Sequence, residues 1–355
     1  MPSFPSPMAL ASSRVHVIGL GSIGTFAAHA VSDITDGPSV TLLLHRQSLA
    51  EKYHENGSQI KFQSKDEKSF ASRGYDLETF YDDEWHLTTP TQSEASVVTD
   101  EICNLIVCSK ATQTVSALRP LASRLNRASN ILFLQNGSGM IEDVNKCLFP
   151  DPLSRPNYLI GVISHGVTLN SPFNITHTGF SATSIGPVPS DPSLGNEVPD
   201  SQSAYLRHIL PKSPLLNLTS YCYSDIRQIQ LEKLSVNAFC NPICALNDAQ
   251  NQFLFTVPEL RRAILTEISE VVLALPELKN VPDLERFSVD RLEQTVGLII
   301  EKTANTTCSM VWDLRSGRET EINYINGSWS RMGRAVGVKT PVNDDLVAKI
   351  RERQR

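Results

Sequence analysis

The feature that most constrains the fold lies near the amino terminus, where strand-like, glycine-rich and helix-like segments follow one another directly. Residues 14–18 form a short apolar run of strand character, and residues 25–34 favour a helix. The segment between them reads Gly19-Leu20-Gly21-Ser22-Ile23-Gly24. A strand, a glycine turn and a helix in this order predict the first unit of a Rossmann-type α/β domain.

The three glycines of this segment have separate roles in a dinucleotide-binding turn. Gly19 permits the tight turn, Gly21 lets a pyrophosphate approach the backbone, and Gly24 allows the helix to pack closely on the strand. The first turn of the helix then presents unpaired N–H groups to the phosphates. We therefore predict that residues 19–24 bind a cofactor; the alternative is a glycine-rich turn without a ligand.

The end of the second strand indicates which dinucleotide is bound. Residues 39–44 form this strand, and the sequence His45-Arg46-Gln47 follows it without the Asp or Glu that usually holds the ribose of NAD. A guanidinium in place of that carboxylate favours a ribose 2′-phosphate. We predict NADP(H) as the cofactor and Arg46 as one of its contacts; the alternative for Arg46 is an exposed surface charge.

Polar residues follow two further apolar strands, at residues 104–108 and 130–134. Lys110 comes after the first of these strands, and Asn136, in the sequence QNGSG, comes after the second. The carboxyl ends of parallel strands form the ligand-binding edge of such a sheet. We expect both side chains there, and we expect the glycines around Ser138 to let the backbone pass close to a ligand. A helix-start lysine and an Asn-Gly turn are the alternatives.

Composition argues against several classes of function. With 355 residues, 41% of them hydrophobic and 20% charged, the chain is long enough for two globular domains. A net charge of -6 without a basic run argues against nucleic acid and membrane surfaces as partners. No stretch approaches the roughly 18 apolar residues of a membrane span. The seven dispersed cysteines lack C-x-x-C spacing, which indicates reduced thiols and predicts no metal site.

The chain divides by sequence character into a lead-in and two domains. Residues 1–13 are rich in Pro and Ser and carry no recognisable secretory or mitochondrial leader, so we expect a disordered lead-in and a cytoplasmic protein, with a mitochondrial location left open. We assign residues 14–222 to an NADP-binding Rossmann-type domain and residues 223–355 to a helical substrate-binding and catalytic domain. Residues 187–203 read as a surface insertion rich in Pro, Ser and Asp.

The helical half opens with a polar stripe in an otherwise apolar helix. Lys233, Asn237 and Asn241 recur every four residues, and this spacing places them along one helix face. Buried lysine and asparagine side chains need partners, so this face is either a functional site or a polar core whose members satisfy one another. Pro242 removes a backbone donor, and we expect a kink or a break near residues 239–241.

Ser309 and Glu321 are two further polar candidates in the helical half. Ser309 lies in a small polar cluster at a helix boundary, and Glu321 follows shortly after it. Ser309 could equally cap a helix, and Glu321 could serve only as a first-turn carboxylate. The helices predicted in this part of the chain span residues 258–275, 283–303 and 319–336.

Five segments, taken in chain order, resemble the ketopantoate reductase (2-dehydropantoate 2-reductase) family: GLGSIG, LIVCSKATQT, ILFLQNGSGMIEDV, EKLSVNAFCNPICAL and CSMVWDLRSGRETEINYING. The resemblance runs from about Val15 to about Leu346. It implies a Rossmann-type amino-terminal domain and an all-α carboxyl-terminal domain like that of 6-phosphogluconate dehydrogenase. It also implies reduction of 2-dehydropantoate (ketopantoate) to pantoate by NADPH, a step of pantothenate and coenzyme A biosynthesis.

The resemblance further implies roles for the matching residues. Lys233 would be the general acid, Glu321 would contact the substrate hydroxyl and the cofactor, and Asn136 would contact both cofactor and substrate. The other substrate-side residues would be Asn237, Asn241, Asn251 and Ser309, and the 2′-phosphate would be held by Arg46 and Lys110. Cys308 departs from the family pattern, in which a second serine is usual.

Two other functions stay open at the level of sequence. A reductase of another 2-oxo acid, or a β-hydroxyacid-type dehydrogenase, would share the spacing of lysine and asparagine. A non-catalytic NADP-binding sensor would keep the nucleotide-binding fold without the chemistry. We expect a small-molecule 2-oxo acid as the partner, while the oligomeric state, with a homodimer as one option, is not fixed by the sequence.

Overall fold

The computed structural model describes residues 13–88, 96–190, 204–279 and 281–354, and the chain divides into two compact units. Unit 1 comprises the chain up to residue 135 together with residues 141–226. Unit 2 comprises residues 136–140 together with the chain from residue 227 onward. Residues 1–12 of the predicted lead-in and residues 191–203 of the predicted insertion lie outside the described residues.

Unit 1 is built on two β-sheets. Its strands are β1 (Val15–Ile18), β2 (Val40–Leu44), β3 (Ile60–Gln63), β4 (Ser69–Ser72), β5 (Asp76–Tyr81), β6 (Glu84–Thr88), β7 (Ser96–Val97), β8 (Asn104–Val107), β9 (Asn130–Phe133), β10 (Asn157–Ile163), β11 (Gly166–Ser171), β12 (Asn174–Gly179), β13 (Thr183–Pro187) and β14 (Leu218–Ser220). The larger sheet has the order β14-β13-β10-β9-β8-β1-β2-β5-β6-β7, and the smaller sheet has the order β11-β12-β3-β4.

The centre of the larger sheet has Rossmann-type topology. Six parallel strands lie side by side in the order β5-β2-β1-β8-β9-β10. When these six strands are numbered by their order along the chain, the sheet order is 3-2-1-4-5-6. This is the order of a doubly wound sheet, and its topological switch point lies between β1 and β8. The predicted Rossmann-type fold of this half is therefore confirmed.

The central strands are apolar because they are buried. Every residue of β1, β2 and β8 is buried, which is the pattern of a parallel sheet covered on both faces. The helices of this unit are α1 (Ser22–Ser32), α2 (Gln47–Glu55), α3 (Thr114–Leu118), α4 (Met140–Cys147, of which Met140 belongs to unit 2) and α5 (Ala204–Ile209). Phe26 and Val31 of α1 belong to the same apolar core as Val17 and Leu42 of the sheet. This packing fixes the start of α1 beside the end of β1.

Unit 2 has helices and no β-strand among its described residues, as predicted. Its helices are α6 (Tyr223–Asn247, of which residues 223–226 belong to unit 1), α7 (Pro258–Ala274), α8 (Val289–Thr303), α9 (Ser309–Arg315), α10 (Asn326–Val336) and α11 (Pro341–Arg353). Their apolar faces share one core, in which Phe239, Leu265, Phe287 and Trp329 are fully buried. Helix α6, which carries the polar stripe, therefore packs against the later helices through its apolar residues.

Two predicted helices begin later than the sequence pattern suggested. The helix expected from residue 283 begins at Val289, and the one expected from residue 319 begins at Asn326. The preceding residues form 3₁₀ turns at Leu284–Phe287 and Ile322–Tyr324, and 3₁₀ turns are frequent at helix starts. Glu321 therefore lies just before a 3₁₀ turn.

Helix α6 continues through Pro242, so the break considered near residues 239–241 does not occur. A proline at this position lacks the N–H that would bond to the C=O of Ala238. That carbonyl instead accepts a hydrogen bond from Nδ2 of Asn326 at 2.8 Å. A donor from another helix replaces the missing one, and the helix remains continuous.

Candidate active site

The glycine segment of residues 19–24 connects β1 to α1 in unit 1. Gly19 has a φ of +88°, and a Cβ added to it would lie 2.2 Å from the backbone nitrogen of Ser109. A Cβ on Gly24 would lie 2.2 Å from the carbonyl oxygen of Gly19. Both positions require glycine because backbone atoms already occupy the space of a side chain.

Gly21 differs from the other two glycines because the described residues leave space beside it. Among them, no heavy atom outside its immediate chain neighbours lies within 4 Å of the position of a Cβ on this residue. The carbonyl oxygens of Leu20 and Gly21 accept hydrogen bonds from Thr25, from its hydroxyl at 3.3 Å and its N–H at 3.0 Å respectively. The N–H groups of Ser22 and Ile23 lie in the first turn of α1 and precede its first intrahelical bond, which the N–H of Thr25 makes. The segment therefore fits the pyrophosphate of a dinucleotide.

Arg46 and Lys110 follow two other parallel strands of the same sheet. Arg46 is exposed and lies between β2 and α2. Burial lowers the pKa of the neighbouring His45, and the positive charge of Arg46 lowers it further. Lys110 is half-buried and lies between β8 and a 3₁₀ turn at Ala111–Gln113. Both cations are at the sheet edge that carries the glycine segment.

Lys233 of α6 contacts Asn136 within unit 2. The Nζ of Lys233 donates a hydrogen bond to Oδ1 of Asn136 at 3.1 Å. Lys233 is half-buried. Burial lowers the pKa of Lys233 to about 8, and the charge of Glu321 partly opposes this shift. An ammonium with such a pKa can donate a proton near neutral pH.

The NGSG segment (residues 136–139) is bonded to several other parts of unit 2. The N–H of Ser138 donates to the carbonyl of Tyr324 at 2.9 Å, and Nε2 of Gln230 donates to the carbonyl of Gly137 at 3.3 Å. Nη2 of Arg331 donates to the carbonyl of Ser138 at 3.2 Å. These main-chain bonds fix the segment that carries Asn136.

The two glycines of the NGSG segment face protein atoms. Gly137 and Gly139 have φ values of +96° and +106°. A Cβ on Gly137 would lie 2.6 Å from the carbonyl oxygen of Tyr324, and one on Gly139 would lie 2.5 Å from Nη2 of Arg331. The glycines on both sides of Ser138 predict, from the sequence, a ligand close to the backbone. The structure gives a different reason, which is close packing of the segment inside unit 2.

Asn237 and Asn241 continue the predicted stripe along α6 after Lys233. Asn237 is half-buried and Asn241 is buried. The thiol of Cys308 donates to the main-chain carbonyl of Asn241 at 3.7 Å. Cys308 stands where the family usually has a serine, and its thiol still supplies a hydrogen-bond donor to the backbone of Asn241.

Ser309 and Asn251 lie at the ends of other helical segments. Ser309 is exposed and is the first residue of α9; the capping position before it belongs to Cys308, so Ser309 is not an N-cap. The amide of Asn251 is already engaged, since its Nδ2 donates to Oγ1 of Thr303 at 2.9 Å and its Oδ1 accepts from the thiol of Cys244 at 3.6 Å. The side chain of Asn251, which is predicted to bind substrate, therefore makes hydrogen bonds that stabilise unit 2 itself.

The residues that hold the NGSG segment were missed by sequence reasoning. Arg227, which is buried, donates from Nη1 to Oγ of Ser138 at 3.3 Å, and Gln230 binds the neighbouring carbonyl. Gln230 precedes Lys233 by three residues, and Arg227 precedes Gln230 by three, so neither lies at the four-residue spacing of the predicted stripe. A search in steps of three as well as four would have identified them.

Comparison with known proteins identifies the family. Residues 15–190 match the family model described as ketopantoate reductase PanE/ApbA, and residues 225–354 match the model of its C-terminal part. A Schizosaccharomyces pombe protein named "Probable 2-dehydropantoate 2-reductase" is 31% identical over 353 residues, covering 96% of this chain and 97% of that protein. The ketoisovalerate reductase BEA2 of Gibberella fujikuroi is 26% identical over 361 residues, covering 90% of this chain and 78% of that protein.

Solved structures share the same fold. The PanE/ApbA family ketopantoate reductase from Ralstonia eutropha matches with a TM-score of 0.72 at 19% identity, over 96% of this chain and 98% of that chain. The dimeric ketopantoate reductase from Staphylococcus aureus matches with a TM-score of 0.66 at 18% identity, over 96% and 98% of the two chains. These likenesses confirm the predicted combination of an α/β unit and a helical unit.

A Rossmann-type unit followed by a helical unit in which Lys233 bonds to Asn136 is the arrangement of a nucleotide-dependent reductase. This chain belongs to the ketopantoate reductase family. It is accordingly an oxidoreductase that acts on CH–OH groups of a small-molecule substrate. The family uses NADPH, in agreement with the predicted cofactor NADP(H). None of the described helices is both long enough and apolar enough to cross a membrane.

Proposed function

We propose that this protein reduces 2-dehydropantoate to pantoate with NADPH. The observation that carries the proposal is the hydrogen bond from Nζ of Lys233 to Oδ1 of Asn136, with the charge of Glu321 acting on the same ammonium. It is supported by the near full-length similarity to the Schizosaccharomyces pombe protein named for this reaction.

In the proposed reaction, Lys233 supplies the proton. When bound, NADPH would supply hydride to the carbonyl carbon of the substrate, so that negative charge would develop on the carbonyl oxygen. The ammonium of Lys233 stabilises that charge and donates its proton to the oxygen, which becomes the hydroxyl of the product. The bond to Asn136 orients the ammonium, and the carboxylate of Glu321 favours its protonated form before each turnover.

The remaining polar groups bind the two ligands. Asn237 and Asn241, on the same face of α6 as Lys233, would orient the carboxylate and hydroxyl groups of the substrate, and Ser309 would contact its carboxylate. Residues 19–24 would hold the pyrophosphate of the coenzyme at the start of α1. Arg46 and Lys110 would bind its 2′-phosphate, since charge-assisted bonds to phosphate are strong and directional.

A second candidate substrate is 2-oxoisovalerate, because one relative of this chain is named a ketoisovalerate reductase. That acid has the same 2-oxo carboxylate as 2-dehydropantoate and a branched carbon beside it, but it lacks the terminal hydroxyl group. A site built to bind that hydroxyl discriminates strongly against an analogue that lacks it. The ratio of the two kcat/KM values therefore separates the candidates.

The test is a steady-state assay of the purified protein by loss of NADPH absorbance. We expect 2-dehydropantoate to give the higher kcat/KM of the two acids, and NADPH to be preferred over NADH. A higher value with 2-oxoisovalerate would replace the proposed substrate. Tight binding of NADPH without turnover of either acid would contradict the proposed reaction and favour a sensor.

The proposal includes a homodimer, as in the dimeric relative from Staphylococcus aureus. Light scattering coupled to size-exclusion chromatography measures the mass in solution. A mass of twice 39.2 kDa is expected, and a mass of 39.2 kDa over the assay range of concentrations would contradict this part of the proposal.

A further inference from the structure

Helix α6 contains a backbone carbonyl that the helix itself cannot satisfy. Pro242 has no N–H, so the carbonyl of Ala238 loses its normal i+4 donor. Ala238 follows Asn237 directly, and Asn241 lies three residues further along. The unsatisfied carbonyl is therefore in the helical turn that carries both proposed substrate-side amides.

Asn326 supplies the missing donor. It is the first residue of α10, is fully buried, and donates from Nδ2 to the carbonyl oxygen of Ala238 at 2.8 Å. The same nitrogen donates to Oδ1 of Asn343 at 3.0 Å. Both hydrogens of the amide group are thus used, one for the carbonyl of α6 and one for a neighbouring side chain.

The orientation of the Asn326 amide is fixed by a buried carboxylate two steps away. Glu267 accepts from the N–H groups of Val342 and Asn343 at 2.7 and 3.1 Å, and from Nδ2 of Asn343 at 2.8 Å. Because a carboxylate accepts from the Asn343 nitrogen, Oδ1 of Asn343 must face Asn326. A flipped Asn326 would set its oxygen against two other acceptors, so its nitrogen must face Ala238.

Asn326 also follows closely on Glu321. The main-chain carbonyl of Glu321 accepts from the N–H groups of Tyr324 and Ile325 at 2.9 and 3.0 Å, and Asn326 is the next residue. One short turn therefore joins the carboxylate that acts on Lys233 to the side chain that bonds to α6. Neither link involves contact between Asn326 and a ligand.

We propose that Asn326 is a positioning residue, which replaces the helix donor lost at Pro242 and so sets the direction of Asn237 and Asn241. The inference rests on the proposed function for the role of those two amides. The bond to the Ala238 carbonyl itself is independent of any activity, so the two can fail separately.

The experiment is a double-mutant cycle with Asn326→Ala, Pro242→Ala and the variant that carries both changes. Pro242→Ala returns a backbone N–H that can bond to the Ala238 carbonyl, and thus makes the donor from Asn326 unnecessary. Coupling is expected between residues that share a partner. Each variant is measured by urea unfolding and by steady-state kinetics, with Asn247→Ala as the control, since Nδ2 of Asn247 also donates to an α6 carbonyl, that of Ile243, at 2.8 Å.

We expect Asn326→Ala to raise the KM for the 2-oxo acid by about tenfold with kcat changed less than about threefold, because orientation of bound substrate is lost while Lys233 stays. The double variant should recover both the urea midpoint and KM relative to Asn326→Ala, and Asn247→Ala should keep the KM of the wild-type protein. If Asn326→Ala does not fold alone, recovery of folded protein in the double variant is the expected result.

Additive effects of the two substitutions on the urea midpoint, or no folded double variant, would overturn the bond as the role of Asn326. Recovery of the urea midpoint without any change of KM in Asn326→Ala would overturn positioning while leaving the bond. Wild-type protein that turns over neither 2-oxo acid would defeat the proposed function instead, and with it positioning of a substrate, but not the stability coupling.

Discussion

The two glycine-rich segments, residues 19–24 in unit 1 and residues 136–139 in unit 2, look alike in sequence and differ in structure. In the first, Gly19 and Gly24 pack against backbone, while Gly21 faces open space at the start of α1. In the second, Gly137 and Gly139 both pack against atoms of unit 2. A glycine that follows a strand can therefore either leave space for a ligand or allow close packing of the protein's own atoms.

The difference assigns separate tasks to the two segments. The first leaves N–H groups and space for an anion, so it suits the coenzyme. The second is bonded along its main chain to Gln230, Tyr324 and Arg331, and it holds Asn136 against Lys233. Changes in the first segment should therefore alter coenzyme affinity, and changes around the second should alter catalysis.

The largest effect on activity is expected from a change of Lys233, which the second segment holds in place through Asn136. Lys233→Ala removes the proposed proton donor, and kcat should fall by about 10²–10⁴-fold. The dissociation constant of NADPH, measured by fluorescence titration, should stay near that of the wild-type protein. Lys302→Ala, an exposed lysine of α8, serves as the control. Near-normal turnover in Lys233→Ala would remove this residue from the mechanism.

The pH dependence of kcat/KM tests the same lysine without a substitution. The pKa of Lys233 is lowered to about 8, and a general acid must be protonated. The rate should therefore be constant below this pKa and fall about tenfold for each pH unit above it. In kcat the fall should begin at a higher pH, since the bound carboxylate of the substrate favours the ammonium form. A profile flat up to pH 10 would contradict the assignment.

Arg46→Ala tests the coenzyme side of the comparison. Hydrogen bonds to charged groups contribute about 1.5–3 kcal/mol, so the preference for NADPH over NADH in kcat/KM should fall by about 10- to 100-fold. Activity with NADH should change little, because NADH lacks the 2′-phosphate. Arg119→Ala, another exposed arginine of unit 1, is the control. An unchanged preference would return Arg46 to the role of a surface charge.

The sequence predicts the first segment well because its determinants are local. A strand, a glycine turn and a helix follow within residues 15–32, and the order of parallel strands depends on apolar runs that can be read directly. Arg46 and Lys110 could be assigned to strand ends for the same reason. The spacing of Lys233, Asn237 and Asn241 likewise identifies one face of α6.

The second segment could not be interpreted from sequence because its partners are distant along the chain. The bond from Arg331 to Ser138 joins residues 193 positions apart. The local pattern of glycines at 137 and 139 therefore predicts a ligand, whereas the structure shows packing against distant residues of unit 2.

The replacement of the donor lost at Pro242 is also distant along the chain. Local rules correctly state that Pro242 removes a donor, but they do not reveal which side chain replaces it. The bond from Asn326 to Ala238 joins residues 88 positions apart.

The most direct test compares Gly21→Ala with Gly137→Ala for NADPH affinity and for the free energy of unfolding in urea. The Cβ of Gly21→Ala meets no atom of the described part of the chain, so this variant should keep its stability and raise the dissociation constant of NADPH by about tenfold, or about 1.4 kcal/mol. Gly137→Ala combines a φ of +96° with a Cβ 2.6 Å from the Tyr324 oxygen, so it should lower the free energy of unfolding by about 1–3 kcal/mol or more and leave NADPH affinity unchanged. The reverse pattern, with NADPH affinity lost in Gly137→Ala and retained in Gly21→Ala, would contradict the separate tasks of the two segments.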